Sequence, residues 1–463
     1  MKAQRPDFTL DNMEEIERYC LRECELLESL MDRLAEALRT ADIKLPRWDG
    51  AGAIAAQLLK RESVAPHKNR DADVERIARA AFYGGRIECL QFGHTASRVY
   101  SYDIRSAYPY ALALAPCFAC GVWSWNEGYV PGIGLYRVEW DLSDRIMGPL
   151  PWRDAEGAVY FPLRGRGWYW HHEIQHLIGL SGIRVVFSVI YQSDCEHKPF
   201  AWIPRLYDLR AQWKRQGNAA EKVLKLGLNS LYGKCAQRKG HAQRKPPTHD
   251  MLWAGWTTSL TRGRLYRNTC RNADSIISFA TDGILASKPL ALFCANRLGG
   301  WEFADHESAT VVQSGVYWLG NGETETVEHT RGFRPSDIDR DAVLRAWKRS
   351  EWQVRFHVQR FMGIGTALVL NQGGWRTFRT TDRVLRLEPN GTKRKYHGVL
   401  DGRKRIRPDR GMVQTYPADI SEQIERTGID STSIAVPWDA GGWIGSDWDV
   451  SMRAEHESVE GFE

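Results

Sequence analysis

Two aspartates far apart in the chain constrain this sequence more than anything else in it. Asp103 closes the apolar, β-rich run Val99 to Ile104, and Asp282 stands where the strand-like run Ile276 to Ala280 turns through Asp282-Gly283 into Ile284 to Ser287. A strand end and a hairpin tip can bring two carboxylates together only if both strands share one sheet. Between them a helical stretch carries Lys225, so the same sheet would hold two acids opposite a cation. Either aspartate alone reads as a turn cap; the two with the lysine helix between them read as a site.

Ahead of the strands, Ile16, Tyr19, Cys20, Leu27, Leu30, Met31, Leu34 and Leu38 recur at near-helical spacing, predicting an amphipathic helix over 12–40 with Asp11 as N-cap. Ala51 to Lys60 predicts a second helix, Glu62 to Asp73 a polar surface loop, and a third helix follows up to Phe82. Val99 to Ile104, Leu135 to Leu142 and Arg184 to Tyr191 then read as strands. Ile203 to Arg215 and Ala219 to Gly233 predict an antiparallel helix pair joined at Gln216-Gly-Asn218, and Ser259 to Ala273 a further helix. Gly-rich hairpins follow Tyr317, then a helix over Arg340 to Trp352, basic strands through Val399 and an acidic tail from Ser451.

The length of 463 residues, 43% of them apolar, suits about three domains with packed cores. Lys2, Arg5 and Asp7 interrupt any N-terminal apolar stretch, and nowhere do eighteen apolar residues run uncharged, so the expectation is a soluble cytoplasmic protein with no membrane partner. The nine cysteines, an odd number, read as reduced thiols, and Cys117-Phe-Ala-Cys120 is a lone CxxC without the second pair a zinc site calls for. Net charge is only +6, but Arg205 to Arg271 holds fifteen Lys or Arg against three Asp or Glu, and Arg376 to Arg410 twelve against four. With Trp213, Tyr232, Trp256 and Tyr266 among those charges, both zones read as surfaces for a nucleic-acid backbone.

Three segments, Tyr102-Asp-Ile-Arg-Ser-Ala-Tyr-Pro109, Lys225-Leu-Gly-Leu-Asn-Ser-Leu-Tyr-Gly233 and Phe279-Ala-Thr-Asp-Gly283, occur in this order and together resemble motifs A, B and C of family B DNA polymerases. Upstream, Tyr83-Gly-Gly-Arg86 resembles the Tyr-x-Gly-Gly motif of the phage-type, protein-primed branch, and Tyr317 resembles the tyrosine of its Lys-x-Tyr motif with Gly315 in the lysine's place. The resemblance covers about residues 75 to 335. It implies an α+β right-hand fold with an antiparallel-sheet palm, helical fingers and a mixed thumb. The divisions would be a helical region over 1–80, palm over 81–204 and 251–318, fingers over 205–250, thumb over 319–450 and an acidic tail over 451–463.

The resemblance also implies an activity, the template-directed addition of dNTPs to a primer 3′ end by two-metal nucleotidyl transfer. Asp103, Ile104 and Asp282 would hold two Mg2+, with Mn2+ as a substitute, since hard oxygen ligands suit such ions. Arg210, Lys214, Lys225 and Asn229 would hold the nucleotide, the first three at its phosphates, with Tyr108 stacked under the sugar where it excludes a 2′-hydroxyl. Tyr83, Gly84, Gly85, Arg86, Tyr232, Gly233 and Tyr317 would contact primer-template DNA. Where the family usually reads Asp-Thr-Asp-Ser, this chain has Ala280-Thr281-Asp282-Gly283, so the first acid is missing and Asp282 is expected to suffice. Only eighteen residues precede Tyr19-Cys-Leu-Arg-Glu23, which resembles a degenerate last motif of the family's exonuclease, so no proofreading is expected. A separate exonuclease subunit or a priming protein would be a further partner, in phage or mobile-element replication or in repair.

Two other readings compete. His172-Glu-Ile-Gln-His176 matches HExxH, and Glu196 lies twenty residues beyond His176, as a third zinc ligand of a peptidase would. Against it, Arg184 to Tyr191 is strand-like, and Glu173 to Gly179 reads as an ordinary palm-side helix. The other reading is a non-catalytic, DNA-holding polymerase relic, suggested by Ala280 and by the missing exonuclease.

Overall fold

The shared sheet that the two aspartates require is present. The computed structural model describes residues 13–46, 50–65, 71–237, 248–321, 325–331, 333, 337–361, 378–389, 391–400 and 403–426. Its central sheet has five antiparallel strands in the order Arg86–Cys89, Ile276–Thr281, Gly283–Ala286, Val99–Ile104, Trp301–His306. Apart from the hairpin Ile276–Thr281 and Gly283–Ala286, the strands next to each other in this sheet come from distant parts of the chain. One face packs on a core of Tyr102, Ile104, Phe279, Ile284 and Trp301.

A long helix, Met251–Thr269, backs this core, and nearly every residue along it is buried. Asp250 caps it, accepting from the backbone N–H groups of Leu252 and Trp253 at 3.0 and 3.2 Å. The sequence pattern placed its start eight residues late, at Ser259, and its end at Ala273. A helix buried on all sides has no polar stripe to mark its turns, and beyond Thr269 the chain tightens into a 3-10 segment, Cys270–Ser275. Close approach is built in at Gly255 and Gly263, where a Cβ would come 2.5 Å from Trp170 Nε1 and 2.2 Å from the His172 carbonyl.

The predicted helix pair is there as Ile203–Arg215 and Ala220–Ala236. Ala51–Arg61 lies across the second of these, and Met13–Thr40 and Ala72–Ala80 complete the N-terminal helices. Gly227 makes the crossing possible: a Cβ there would lie 2.8 Å from both Ile54 Cγ2 and Leu58 Cδ1. A four-stranded sheet, Val122–Glu127, Ile183–Gln192, Gly134–Asp141, Arg164–Trp170, occupies the chain between the Asp103 strand and the helix pair.

Towards the C-terminus a six-stranded sheet runs Glu325–Thr330, Val316–Asn321, Ser308–Gln313, Gln91–Thr95, Met412–Pro417, Arg394–Tyr396. The helix Arg340–Lys348 stops short of the expected Trp352, and Gln353–Phe361 pairs with Phe378–Arg386. The expected cap Asp11 and the acidic tail lie outside the described residues. Among the described residues no helix is long and apolar enough to cross a membrane.

Candidate active site

Near the end of Val99–Ile104, Asp103 faces outward between buried Tyr102 and Ile104. Gly283 is its register partner on one side and Glu302 on the other. Ala280, Gly283, Asp103 and Glu302 therefore form one row across the sheet, on one face. The Ile104 N–H donates to the Asp282 carbonyl at 3.3 Å, which ties the hairpin tip to the Asp103 strand by a backbone bond. Asp282 is half-buried. At Gly283 a Cβ would stand 3.4 Å from Asp103 Oδ1, so glycine keeps the front of that carboxylate open.

The backbone on both sides of the acids is strained. Thr281 has φ 65° at the first central position of the turn, where hairpins want positive φ but a β-branched residue resists it. Ser106, three residues after Asp103, sits in the left-handed region at φ 49°, ψ 55° as the chain turns into the helix Ala107–Ala113. Each such residue costs about 1–3 kcal/mol, and such strain clusters at functional sites. Asp103 keeps solvent on one side, yet the surrounding protein pushes its pKa up to about 6, first by desolvation and then through the charge of Glu302. A bound cation would reverse that direction.

Tyr108 stands in the first turn of Ala107–Ala113, half-buried, with its ring 4.7 Å from that of Tyr232 at 51°. The residue under suspicion as a sugar gate thus rests on the helix that carries Lys225. Lys225, Asn229 and Gly233 fall four apart on that helix and are all exposed. On the neighbouring helix Lys214 is exposed, whereas Arg210 is half-buried and paired with Glu221, Nε to Oε2 3.2 Å. Tyr317, stacked on His329 at 4.5 Å, lies within the field of Asp103: burial first, then that carboxylate's charge, pushes its hydroxyl up to about 12.

Several expected DNA contacts are not surface residues. Tyr83 is buried and stacked on Tyr169 at 6.0 Å, and its carbonyl and that of Gly84 accept from Arg262 Nη1. Arg86 is 1% exposed, donates to Glu88 at 2.7 Å and to the Gly148 carbonyl at 2.9 Å, and lies over Phe161 and Phe279. Neither side chain reaches a surface that DNA could touch, because partners inside the protein already use it. Gly84 and Gly85, half-buried, hold the loop against the hairpin: a Cβ at Gly85 would meet Thr281 Cγ2 at 2.7 Å. Tyr232 is likewise buried, offering its ring to Tyr108 rather than outward.

The HExxH reading is overturned. His171–Ile174 is a single helical turn, so the helix expected over Glu173 to Gly179 does not form. Glu173 is buried against Arg262, Oε1 to Nε 2.9 Å, and cannot serve as a base to water. His172 is packed on Trp256 at 4.3 Å, and burial, with the charges of His171 and His176, holds its pKa well below the usual range. Among the described residues the one group of three converging donor side chains is Cys117, Cys120 and Cys195.

Two residues of the site carried no sequence signal that was read. Glu302 faces Asp103 and pairs with Arg105 at 3.2 Å; its place in a short strand after Asp282 was the available clue. Arg262, one of three arginines towards the C-terminal end of the helix Met251–Thr269, holds the Tyr83-Gly84 loop.

Residues 6–244 match the family model described as DNA polymerase type B, organellar and viral. The chain is 29% identical over 241 residues to the primer-independent DNA polymerase PolB of Escherichia coli, covering 45% of this chain and 28% of that protein. It is 24% identical over 293 residues to the DNA polymerase of Acidianus bottle-shaped virus, isolate Italy/Pozzuoli, covering 59% of this chain and 43% of that protein. The chain thus spans less than half the length of these relatives. In three dimensions it resembles Phi29 DNA polymerase complexed with single-stranded DNA, with TM-score 0.55, 14% identity, and 77% and 70% of the two chains covered. It also resembles the Phi29 enzyme in its ternary complex with primer-template DNA and incoming nucleotide, with TM-score 0.53, 14% identity and 74% and 68% coverage. At such identities the likeness shows a fold.

Proposed function

Since this chain belongs to the organellar and viral type B DNA polymerases, we propose that it is a template-directed polymerase whose chemistry is centred on Asp103 and Asp282. The observation that carries this reading is that Asp282 stands at the tip of the hairpin whose second strand pairs with the Asp103 strand, tied to it by the Ile104 to Asp282 backbone bond. In the same reading, residues 81–204 and 251–318 act as palm, 205–250 as fingers and 319–450 as thumb.

The donor set fits a pair of divalent cations. Asp103 and Asp282, with Ile104 between them in the bonding pattern, offer hard oxygens, and Asp103 crowded by Glu302 is a carboxylate that a cation would relieve. Bound there, Mg2+ would supply activation of the 3′-hydroxyl and stabilisation of the departing pyrophosphate. Lys225 and Lys214 present ammonium groups for the triphosphate; Arg210 joins them only by competing with Glu221. Tyr108, braced by Tyr232, closes the space under the sugar, and Tyr317 supports the primer end beside Asp103.

Primer extension with Mg2+ on the purified protein is the test, run with an annealed primer and on bare template, since one relative is called primer-independent. Asp282→Asn abolishes synthesis, while Ala280→Asp leaves it active. Full activity in Asp282→Asn would refute the assignment. No synthesis by the unaltered chain would favour the relic reading that Ala280 suggests. The proposal includes no excision of a mispaired 3′ end by this polypeptide: Glu23 is exposed and accepts from Tyr19 at 2.5 Å, on a helix face built for solvent. Excision lost in Glu23→Ala but kept in Asp282→Asn would contradict it.

A further inference from the structure

We propose that Cys117, Cys120 and Cys195, with His197 as the fourth ligand, form a structural zinc site that clamps the two ends of the four-stranded sheet spanning residues 122–192. The three sulfurs all lie within 4.8 Å of one another, and Cys117 Sγ is 3.3 Å from Cys120 Sγ. Around a tetrahedral zinc, with Zn–S of about 2.3 Å, neighbouring sulfurs stand about 3.8 Å apart, so the three need only small adjustments. The lone CxxC therefore has its missing partner, supplied by the chain as it leaves Ile183–Gln192, the strand paired with Val122–Glu127.

The backbone around the cluster is arranged for this meeting. The Cys117 N–H donates to the His197 carbonyl at 3.2 Å, and the Tyr191 hydroxyl donates to the Cys117 carbonyl. Gly121, directly after Cys120, lets the strands touch: a Cβ there would come 2.2 Å from the Gln192 carbonyl and 2.7 Å from Ser193 Cβ. Phe118, Trp123 and Tyr191 pack beneath, with ring centroids 5.1 to 5.9 Å apart.

A disulfide would use two of these sulfurs and strand the third. Soft thiolates with an imidazole select zinc over magnesium or calcium. His197 is exposed, two residues after Cys195, and its carbonyl already accepts from the Cys117 N–H, which makes its imidazole the nearest donor in the chain to complete the set. Binding expels the thiol protons to solvent, making retention pH-dependent. The clamp joins the segment after the Tyr108 helix to the segment before Ile203–Arg215, and closing so long a loop is where a metal clip stabilises most.

The test needs no polymerase activity, so it stands or falls apart from the reading above. The full chain, purified and dialysed after exposure to zinc, should release one zinc per chain to a chromophoric chelator when its thiols are mercurated. Cys117→Ser, Cys120→Ser and Cys195→Ser should each lose it, whereas Cys294→Ser, an exposed cysteine elsewhere, should not. Should a variant fail to fold, the unaltered protein still decides. In mass-mapped alkylation the three cysteines should be protected with zinc and labelled once a zinc-selective chelator is added in excess Mg2+, with Cys294 labelled throughout. His197→Ala should hold zinc more weakly and alter the visible spectrum of the cobalt-substituted protein. Absence of zinc in the reduced protein, a Cys117–Cys120 disulfide that persists after phosphine reduction in the presence of zinc, or labelling of the trio at the rate of Cys294 would each overturn the site.

Discussion

Arg262 lies in the same basic zone as Lys214 and Lys225, and Arg394 in the other, yet the arginines and the lysines do opposite jobs. Arg262 is buried against Glu173 and two carbonyls; Arg394 is buried against Glu88 at 2.8 Å, Thr415 and the Ile146 carbonyl. Lys214 and Lys225 stand in solvent on the helix pair. The first set is consumed in holding the protein together, and the second is available to a ligand. A run of basic residues is therefore not by itself a nucleic-acid surface, because burial decides which cations still have charge to offer.

Breaking the buried set should give the largest effect. Glu173→Ala leaves the Arg262 guanidinium uncompensated and should cost about 3–5 kcal/mol of stability. The Glu173 carboxyl is already raised by desolvation, which Arg262 only partly offsets, so the pair stabilises little relative to an apolar replacement. Adding Arg262→Met to Glu173→Ala should therefore recover part of the loss in chemical denaturation; a further loss would show that Arg262 acts through the Tyr83 and Gly84 carbonyls more than through Glu173.

Removing an exposed cation should do the reverse. Lys225→Ala should raise the KM for dNTP about 10- to 100-fold, the loss of one charged hydrogen bond of about 1.5–3 kcal/mol, and leave folding stability within about 0.5 kcal/mol. Equal losses in stability and affinity would erase the distinction between the two sets. Tyr108→Ala tests the boundary between them, since its ring is half packed and half open. It should admit ribonucleotides in extension assays while costing about 0.5–1.5 kcal/mol for the lost contact with Tyr232.

The smallest effect, vanishing at neutral pH, concerns His171 and His172. Burial holds His171 at about 4, against 6.5 unperturbed, so both rings are neutral in the folded chain. An unfolded chain takes up their protons below about 6.5, so stability should be constant above that pH and fall as pH drops towards 4. His172→Phe should flatten this slope in urea titrations, and an unchanged slope would place the acid sensitivity elsewhere.

What the sequence disclosed was local. Val99–Ile104 announced itself by composition, the Asp282 hairpin by its turn, and the helix pair by apolar spacing bracketing Gln216-Gly-Asn218. Glu302 opposite Asp103, Arg262 beneath the Tyr83 loop and Cys195 beside the CxxC were hidden because each is defined by a partner far away in the chain. Met251–Thr269 was misplaced for another reason: burial on every side removes the pattern by which a helix is found. Tyr83 and Arg86 were placed on the surface because their motif gave position along the chain and no information about depth.

The crossing at Gly227 has a consequence for motion. With Ile54 and Leu58 seated where a side chain would be, there is no slack between Ala51–Arg61 and the helix that carries Lys225. Any movement of that helix must carry Ala51–Arg61 with it as one lever. The arc is then set by where the lever is anchored, and a probe on Ala51–Arg61, far from the chemistry, would report each stroke.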